Sequence, residues 1–364
     1  SLLERTADGA LSTASGGVGA LARVGAALEL ARWHLDDGDP EAAAAWYRRG
    51  RNADLPPLSA ASLPAWSRYL ECSLGLLGLD LAESESLTGG AARRDLLADA
   101  QVLADELRRR APGSPYTVSA EGRLAFIQKE YRRAVLRLQT ATAMLGETRN
   151  HYDMLLCGMA LAELGETGAA RELLVHVLKA PDAPAAARFR AGLELTDVLL
   201  NLGEHENAVA VAEGLVQHAR DLPDARLAFC RAMLAMTEYD AAGGAAPPES
   251  RLQELETILT AVTGRERTEA HIVLARLCLL DDREAEARAY LLEAAKAEPA
   301  NEDLHRLLRL WPGGPPTEVW QELVSAMPDT PIRRFLESRL ETGPPSGTEV
   351  ALVSAAFEEN AARR

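Results

Sequence analysis

Apolar residues recur along most of the chain with the spacing of helices, and the apolar runs come in pairs separated by short polar breaks. The segment GMALAELGETGAARELL, from Gly158 to Leu174, places two apolar helical runs on either side of a Gly-Glu-Thr-Gly break. Long alternating stretches rich in Val, Ile and Thr, which would predict strands, are missing. The pattern predicts an all-α protein built from helical hairpins.

A constant interval links the two helices of each predicted hairpin. Gly158 on the first helix and Ala170 on the second are twelve residues apart, and the turn lies about five residues before Ala170. The same interval separates Ala31 from Ala43, Gly122 from Ala134, Thr196 from Ala208, and Ala275 from Ala287. Because two antiparallel helices approach closely only where their side chains are small, we interpret each pair as the crossing point of a hairpin. A single hairpin cannot bury both faces, so the recurrence predicts a stack of hairpins.

These hairpins resemble tetratricopeptide repeats. The best match to the family pattern is His271, Leu274, Ala275, Cys278, Ala287, Leu291 and Pro299. Most aromatic residues of the family pattern are replaced here by Leu or Ala, so the copies are degenerate. From Ala100 to Ala208 the second-helix alanines are spaced by 34, 36 and 38 residues, close to the family period. The resemblance implies a right-handed α-α superhelical solenoid of stacked helical hairpins, with a concave groove for a partner.

The repeat pattern also predicts how the chain is organised. We expect residues 1–25 to be a flexible or helical lead-in. Residues 26–300 are predicted to form a tetratricopeptide-like solenoid of about seven hairpins, with long loops near 80–95 and 242–249. Residues 301–364 are predicted to form a helical C-terminal cap that shields the last apolar face, with Trp311, Trp320 and Phe335 in its core.

Charge and cysteine content narrow the choice of partners and compartment. The net charge is −15, from 54 acidic and 39 basic residues, and such a surface repels phosphate backbones, so no nucleic-acid partner is expected. No apolar run is long enough to predict a membrane span. Each of the four cysteines lies in an apolar run, which favours packing in a reducing compartment. We expect a cytoplasmic protein, or a periplasmic or envelope-associated one if a signal preceding Ser1 was removed.

The sequence carries no motif that would make the chain an enzyme. It lacks a G-x-S-x-G elbow, a glycine-rich phosphate loop and an H-E-x-x-H pair, and its seven histidines are scattered. We therefore predict a non-enzymatic protein with no catalytic residue, no cofactor and no metal site.

Helical phase relative to the crossing residues predicts which side chains point into the groove. The candidates are Arg123, Tyr152, Leu155, Met159, Arg190, Asp197, Asn201 and Arg276. Arg, Tyr and Met are favoured at binding surfaces, whereas Leu155 and Met159 fit equally well as packing between hairpins. Some tetratricopeptide cochaperones grip acidic C-termini with a lysine and asparagine clamp, and this chain lacks those residues. Arg123 and Arg190 remain as side chains able to hold an acidic peptide.

Two classes of function follow from these expectations. The first is a non-enzymatic scaffold that binds a partner protein or peptide in the groove, as a stand-alone protein or a subunit of a larger complex. The second is a regulatory or sensor module of a larger protein that controls a catalytic or DNA-binding domain. An envelope assembly factor is a third possibility. The full-length reading frame separates the first two, because a catalytic or DNA-binding domain next to this chain would identify the sensor module.

Overall fold

The protein is all-α throughout the described part of the chain, as the sequence predicts. The structure is a computed structural model that describes residues 17–36, 39–57, 62–82, 90–146, 150–219, 222–244, 246–262, 266–311, 314–327, 331–340 and 347–363. Within these ranges there are eighteen helices and no strand. The chain divides into two compact units, Ser1–Leu202 and Gly203–Arg364.

Unit 1 is a stack of helical hairpins. Its helices are α1 (Gly17–Asp36), α2 (Pro40–Arg51), α3 (Leu63–Ala82), α4 (Gly90–Arg110), α5 (Pro115–Ile127), α6 (Tyr131–Leu145), α7 (His151–Glu163), α8 (Thr167–Lys179) and α9 (Ala185–Asn201). The odd-numbered helices are the first helices of the hairpins. The helices α1, α3, α5 and α7 each pack on the even-numbered helix that follows. Each even-numbered helix also packs on the odd-numbered helix that follows it, so that successive hairpins are stacked on one another.

Unit 2 continues with the same kind of hairpin and ends in a group of shorter helices. Its helices are α10 (His205–His218), α11 (Pro223–Ala242), α12 (Glu249–Thr260), α13 (Arg267–Leu280), α14 (Glu284–Ala297), α15 (Glu302–Arg309), α16 (Thr317–Ala326), α17 (Pro331–Leu340) and α18 (Gly347–Arg363). Helices α11 and α12 form one hairpin and α13 and α14 another, with α11 also touching α13.

Small residues allow the two helices of a hairpin to touch. The second-helix alanines that the sequence nominates are completely buried: Ala43, Ala134, Ala170, Ala208 and Ala287. On the first helices, a Cβ atom added to Gly158 would lie 3.0 Å from Leu174 Cγ, and one added to Gly122 would lie 2.7 Å from Leu138 Cγ. The large side chain of the second helix therefore occupies the space that the glycine leaves open.

The turns between paired helices share one backbone conformation. Lys129, Gly165 and Asp282 have φ angles of 60°, 77° and 56°, and each stands five residues before the buried alanine of its hairpin. After Lys129, the backbone N–H of Glu130 donates to the carbonyl of Ala125 at 2.8 Å, the bond that closes a Schellman cap. The cap fixes where the second helix begins, and hence its register against the first.

The C-terminal helices surround an apolar core that they share with the last hairpin. Trp311 and Trp320 are 5% and 1% exposed and pack with Leu291 of α14. The prediction for Phe335 is wrong, because its side chain is 51% exposed and the next residue, Leu336, is fully buried in its place. The one-residue difference reflects the phase of the short helix α17, which the preceding proline-rich sequence did not reveal.

Helices occupy the end of the expected lead-in, which the sequence predicts as flexible or helical, and part of one expected long loop. Helix α1 already begins at Gly17 and buries Ala20 and Val24 completely, so the end of the expected lead-in is packed helix. Helix α3 continues to Ala82 and α4 begins at Gly90, so helix occupies part of the expected long loop. Residues 1–16 and 83–89 lie outside the described part of the chain.

All four cysteines are buried and unpaired. Burial raises the pKa of Cys72 and Cys230 to about 12 and that of Cys157 and Cys278 to about 11. The thiols therefore stay protonated at neutral pH and contribute to packing rather than to chemistry.

Replacing Gly122 with Ala should destabilise the protein even though Ala is the better helix former. The new Cβ atom would stand 2.7 Å from Leu138 Cγ and 3.0 Å from the Leu138 backbone nitrogen, so α6 would have to shift. We expect the free energy of unfolding, measured by urea titration, to fall by roughly 1–3 kcal/mol.

The matched control is Gly168→Ala on α8, where no atom lies within 4 Å of the added Cβ. This variant should be as stable as the wild type or more stable by up to roughly 1 kcal/mol. Equal effects of the two substitutions would contradict the close-approach explanation of the hairpins.

Candidate interaction surface on the first helices

The first helices of unit 1 close into a ring. Helices α1, α3, α5, α7 and α9 contact one another in order, and α9 also contacts α1. Five helices therefore surround an interior, and the predicted groove residues of this unit belong to three of these helices, α5, α7 and α9. What fills this interior decides how much of it remains for a partner.

Charged side chains of four successive first helices are linked inside the ring. Arg32 of α1 donates from Nη2 to Glu71 Oε2 of α3 at 2.9 Å. Arg123 Nη1 of α5 lies 3.9 Å from the same Glu71 oxygen. Arg123 Nε donates to Asp153 Oδ1 of α7 at 2.7 Å. We call these four residues, Arg32, Glu71, Arg123 and Asp153, the inner circuit.

The inner circuit is closed across the ring by an aromatic contact. The guanidinium carbon of Arg32 lies 5.5 Å from the ring centroid of Tyr152, so α1 also touches α7. Arg32 Nη1 continues the circuit outward to Glu29 Oε1 at 2.9 Å. Side-chain exposure falls from 49% at Glu29 to 15% at Glu71 and 0% at Asp153. The circuit therefore runs from the solvent-exposed surface into the buried interior of the ring.

The deepest pair is also incompletely hydrogen-bonded. Burial opposes the charge of Arg123, but the carboxylates of Asp153 and Glu71 outweigh it and raise the pKa of the guanidinium above its usual value. Arg123 Nη2 and Asp153 Oδ2 are buried without a hydrogen-bond partner among the described residues. The Arg123–Asp153 pair thus leaves one donor and one acceptor without a hydrogen-bond partner among the described residues.

Helix α9 carries a second polar feature, which is more exposed. Arg190, Glu194, Asp197 and Asn201 recur at the spacing that places them along one side of a helix, and we call them the α9 stripe. Arg190 Nη2 lies 2.8 Å from Glu194 Oε1, with side chains 53% and 21% exposed. Burial raises the pKa of Glu194, and Asp197 raises it further against the lowering effect of Arg190.

The remaining sequence-predicted residues fall in different surroundings. Leu155 is 4% exposed and packs inside the unit, whereas Met159 and Tyr152 are half-buried. Arg276 belongs to unit 2, where its Nε and Nη2 donate to the two carboxylate oxygens of Glu238 at 3.2 and 2.5 Å. Unit 1 therefore contains every member of the predicted set except Arg276.

Three members of the inner circuit escaped sequence reasoning. Arg32 directly follows the crossing residue Ala31, just as Arg123 follows Gly122, so the same phase rule identifies it. Glu71 belongs to a hairpin without the regular interval, and Asp153 is a buried charge whose partner lies 30 residues away. Neither of these two had a local signal.

Two clefts lie where helix α7 meets the second helices next to it, one beside α6 and α8 and the other beside α8. One, of about 550 Å³, is lined by residues that include Met154, Cys157 and Leu173. The other, of about 680 Å³, includes His151, whose Nε2 lies 3.1 Å from Asp182 Oδ2. Within the described residues, no group of three His, Cys, Asp or Glu side chains is arranged to hold a metal ion. No described helix has the length and apolar content needed to cross a bilayer.

Comparison with known proteins places this architecture. No protein-family model and no curated protein sequence matches the chain. Among solved structures, apo RapI is 11% identical, covers 93% of this chain and 98% of its own, and has a TM-score of 0.55. The apo quorum sensor NprR from B. thuringiensis is 13% identical, covers 95% and 94%, and has a TM-score of 0.54. NprR in complex with its cognate peptide NprX is 13% identical, covers 94% and 88%, and has a TM-score of 0.52.

The chain has a tetratricopeptide-like helical-repeat fold. At these identities the similarity concerns the fold alone, and the inner circuit is described from this chain's own residues. The tetratricopeptide-like hairpins supply the first helices, and the circuit supplies the contacts between them.

Breaking the deepest pair of the circuit should be costly. In Arg123→Met the Asp153 carboxylate stays buried without its partner, and we expect a loss of about 3–5 kcal/mol in the free energy of unfolding. The double variant Arg123→Met/Asp153→Leu removes both charges and should lose less than either single variant.

The exposed ion pair of the α9 stripe is the control for this cycle. Arg190→Ala should change the free energy of unfolding by less than about 1 kcal/mol. Urea titrations of the wild type, the two single variants and the double variant give the coupling free energy between Arg123 and Asp153. Additive effects of Arg123→Met and Asp153→Leu would show that the pair is not linked as described.

Proposed function

We propose that this protein is a non-enzymatic interaction scaffold that binds a peptide, or an extended segment of a partner protein, against the first helices of unit 1. The observation that carries the proposal is the α9 stripe. It presents a guanidinium, carboxylates and an amide in one line, with Arg190 and Asn201 exposed.

The stripe suits an extended polypeptide in chemistry and in length. Arg190 and Asn201 are eleven residues apart, which corresponds to about 16 Å along a helix, or about five residues of extended chain. The Asn201 amide offers both a donor and an acceptor, the two groups that a peptide backbone needs. Met159, half-buried on the neighbouring helix α7, adds an adaptable apolar contact.

The fold of the solved structures supports a peptide as partner. NprR, which shares the tetratricopeptide-like fold, has been solved with its cognate peptide NprX. Helical-repeat proteins in general use the surface formed by successive repeats for binding. In this proposal the chain acts by binding and carries no chemical step.

A sensor role is the second candidate, and the same comparison favours it. NprR is described as a quorum sensor and has been solved with its cognate peptide NprX, so a sensor that binds a peptide shares this fold. In that case the peptide site is unchanged and the output lies in another domain or partner.

A selection from a displayed library of random peptides tests the proposal. Enriched peptides are synthesised and their dissociation constants are measured by calorimetry on the wild type and on Arg190→Ala/Asp197→Ala/Asn201→Ala. We expect the triple variant to bind at least roughly tenfold more weakly, a loss of about 1.4 kcal/mol.

The control carries Arg132→Ala/Gln139→Ala on the second helix α6, where both side chains are exposed at a spacing that also places them along one side. It should bind as the wild type does. If this control loses binding and the triple variant does not, the peptide binds to the second helices and the proposal is contradicted. A selection that enriches no peptide would also contradict it.

A further inference from the structure

We propose that Trp33 of α1 is a second anchoring point for the segment that binds at the α9 stripe. It receives a large apolar side chain of that segment, either aromatic or branched aliphatic. This inference rests on the proposed function and specifies its ligand. The exposure of Trp33, its place at the outer end of the inner circuit and the contact of α1 with α9 together support it.

Trp33 is far more exposed than the other tryptophans of the chain. Its exposed fraction is 55%, whereas the other four tryptophans are buried or half-buried. Its described ring contact is with the neighbouring His34, at 5.0 Å between the ring centroids. Tryptophan is highly buried on average in folded proteins, and it is enriched among the few residues that dominate binding at interfaces. An exposed indole on a first helix therefore offers a large apolar area to a partner.

Trp33 lies at the exposed end of the inner circuit. Glu29, through which the circuit reaches the surface, stands one helical turn before Trp33 on α1, so both side chains project from the same side of the helix. Arg68 of α3 reaches the same carboxylate, with its Nη1 3.4 Å from Glu29 Oε1. The surroundings of Trp33 are therefore built from two neighbouring first helices.

The charges near Trp33 are matched internally, and this favours an uncharged anchor. Glu29 Oε1 accepts from Arg32 Nη1 at 2.9 Å and from Arg68 Nη1 at 3.4 Å. Arg32 Nη2 in turn donates to Glu71. A charged side chain of the partner would meet a charge of its own sign here as well as one of the opposite sign. An apolar side chain has no such conflict and is stabilised by covering the indole.

One segment can contact both Trp33 and the α9 stripe, because α9 packs on α1. The axes of packed helices lie about 8–10 Å apart, a distance that about three residues of extended chain can cross. The stripe itself accommodates about five such residues. A segment of at least roughly eight residues is therefore long enough to reach both places.

The dissociation constants of the enriched peptides on variants of Trp33 test this inference. We expect the peptides that depend on the α9 stripe to bind Trp33→Ala at least roughly tenfold more weakly than the wild type. Trp33→Phe keeps an aromatic face and should bind them within about threefold of the wild type. In an alanine scan of each peptide, replacement of one large apolar residue should weaken binding to the wild type but not to Trp33→Ala.

The matched control is Tyr239→Ala in unit 2. Tyr239 is 66% exposed, and its ring lies 5.1 Å from that of His205, much as Trp33 lies beside His34. This variant should bind the peptides as the wild type does, and circular dichroism confirms that each variant is folded.

The outcomes separate this inference from the proposed function. If the stripe-dependent peptides bind Trp33→Ala as tightly as the wild type, this inference is overturned and the proposed function stands. A charged peptide residue as the one coupled to Trp33, or equal weakening by Trp33→Ala and Tyr239→Ala, would overturn it in the same way. If no enriched peptide depends on the stripe, the proposed function fails and this inference with it.

Discussion

A buried ion pair between neighbouring first helices, Arg123 with Asp153, is the interaction on which the interior of unit 1 depends. A guanidinium and a carboxylate at this depth are tolerable only as partners, because either charge alone would carry a desolvation cost of several kcal/mol. Glu71 on α3 and Arg32 on α1 extend the ion pair to two further helices. Arg32 also contacts the ring of Tyr152, which lies on α7 with Asp153. The first helices are therefore held by directional polar contacts as well as by apolar packing.

The packing within the hairpins brings the charged side chains of the inner circuit together. Gly122 allows α5 to touch Leu138 of α6, and this close approach fixes the rotation of α5. Arg123, the next residue, then points away from the partner helix and toward the ring interior. The same relation between Ala31 and Arg32 in the first hairpin brings a second guanidinium to the same carboxylate, Glu71. Small residues thus control the hairpins, and through them the electrostatics of the inner surface.

Much of the fold could be predicted from the sequence, because its signals are local. The interval from Gly158 to Ala170 lies within one hairpin and reports a contact that both helices make wherever the hairpin is placed. The candidate surface was harder to predict. Arg123 lies on the first helix α5, but its neutralisation by Asp153 depends on a contact between different hairpins, 30 residues apart. Phe335 failed for a related reason: helix α17 is short, and a one-residue error in phase exchanges a buried side chain for an exposed one.

The distance between α1 and α9 tests most directly whether the circuit holds the first helices in a ring. It can be measured by pulsed electron-electron double resonance between spin labels at Ala22→Cys on α1 and Ala185→Cys on α9, which are both exposed positions. The native thiols are buried and, with pKa values of about 11–12, react poorly with the label. We predict one narrow distribution of label-to-label distances at the short separation set by the contact of α1 with α9. When Arg123→Met is added, the distribution should become broader and move to longer distances. A broad, long distribution in the protein with the circuit intact would contradict it.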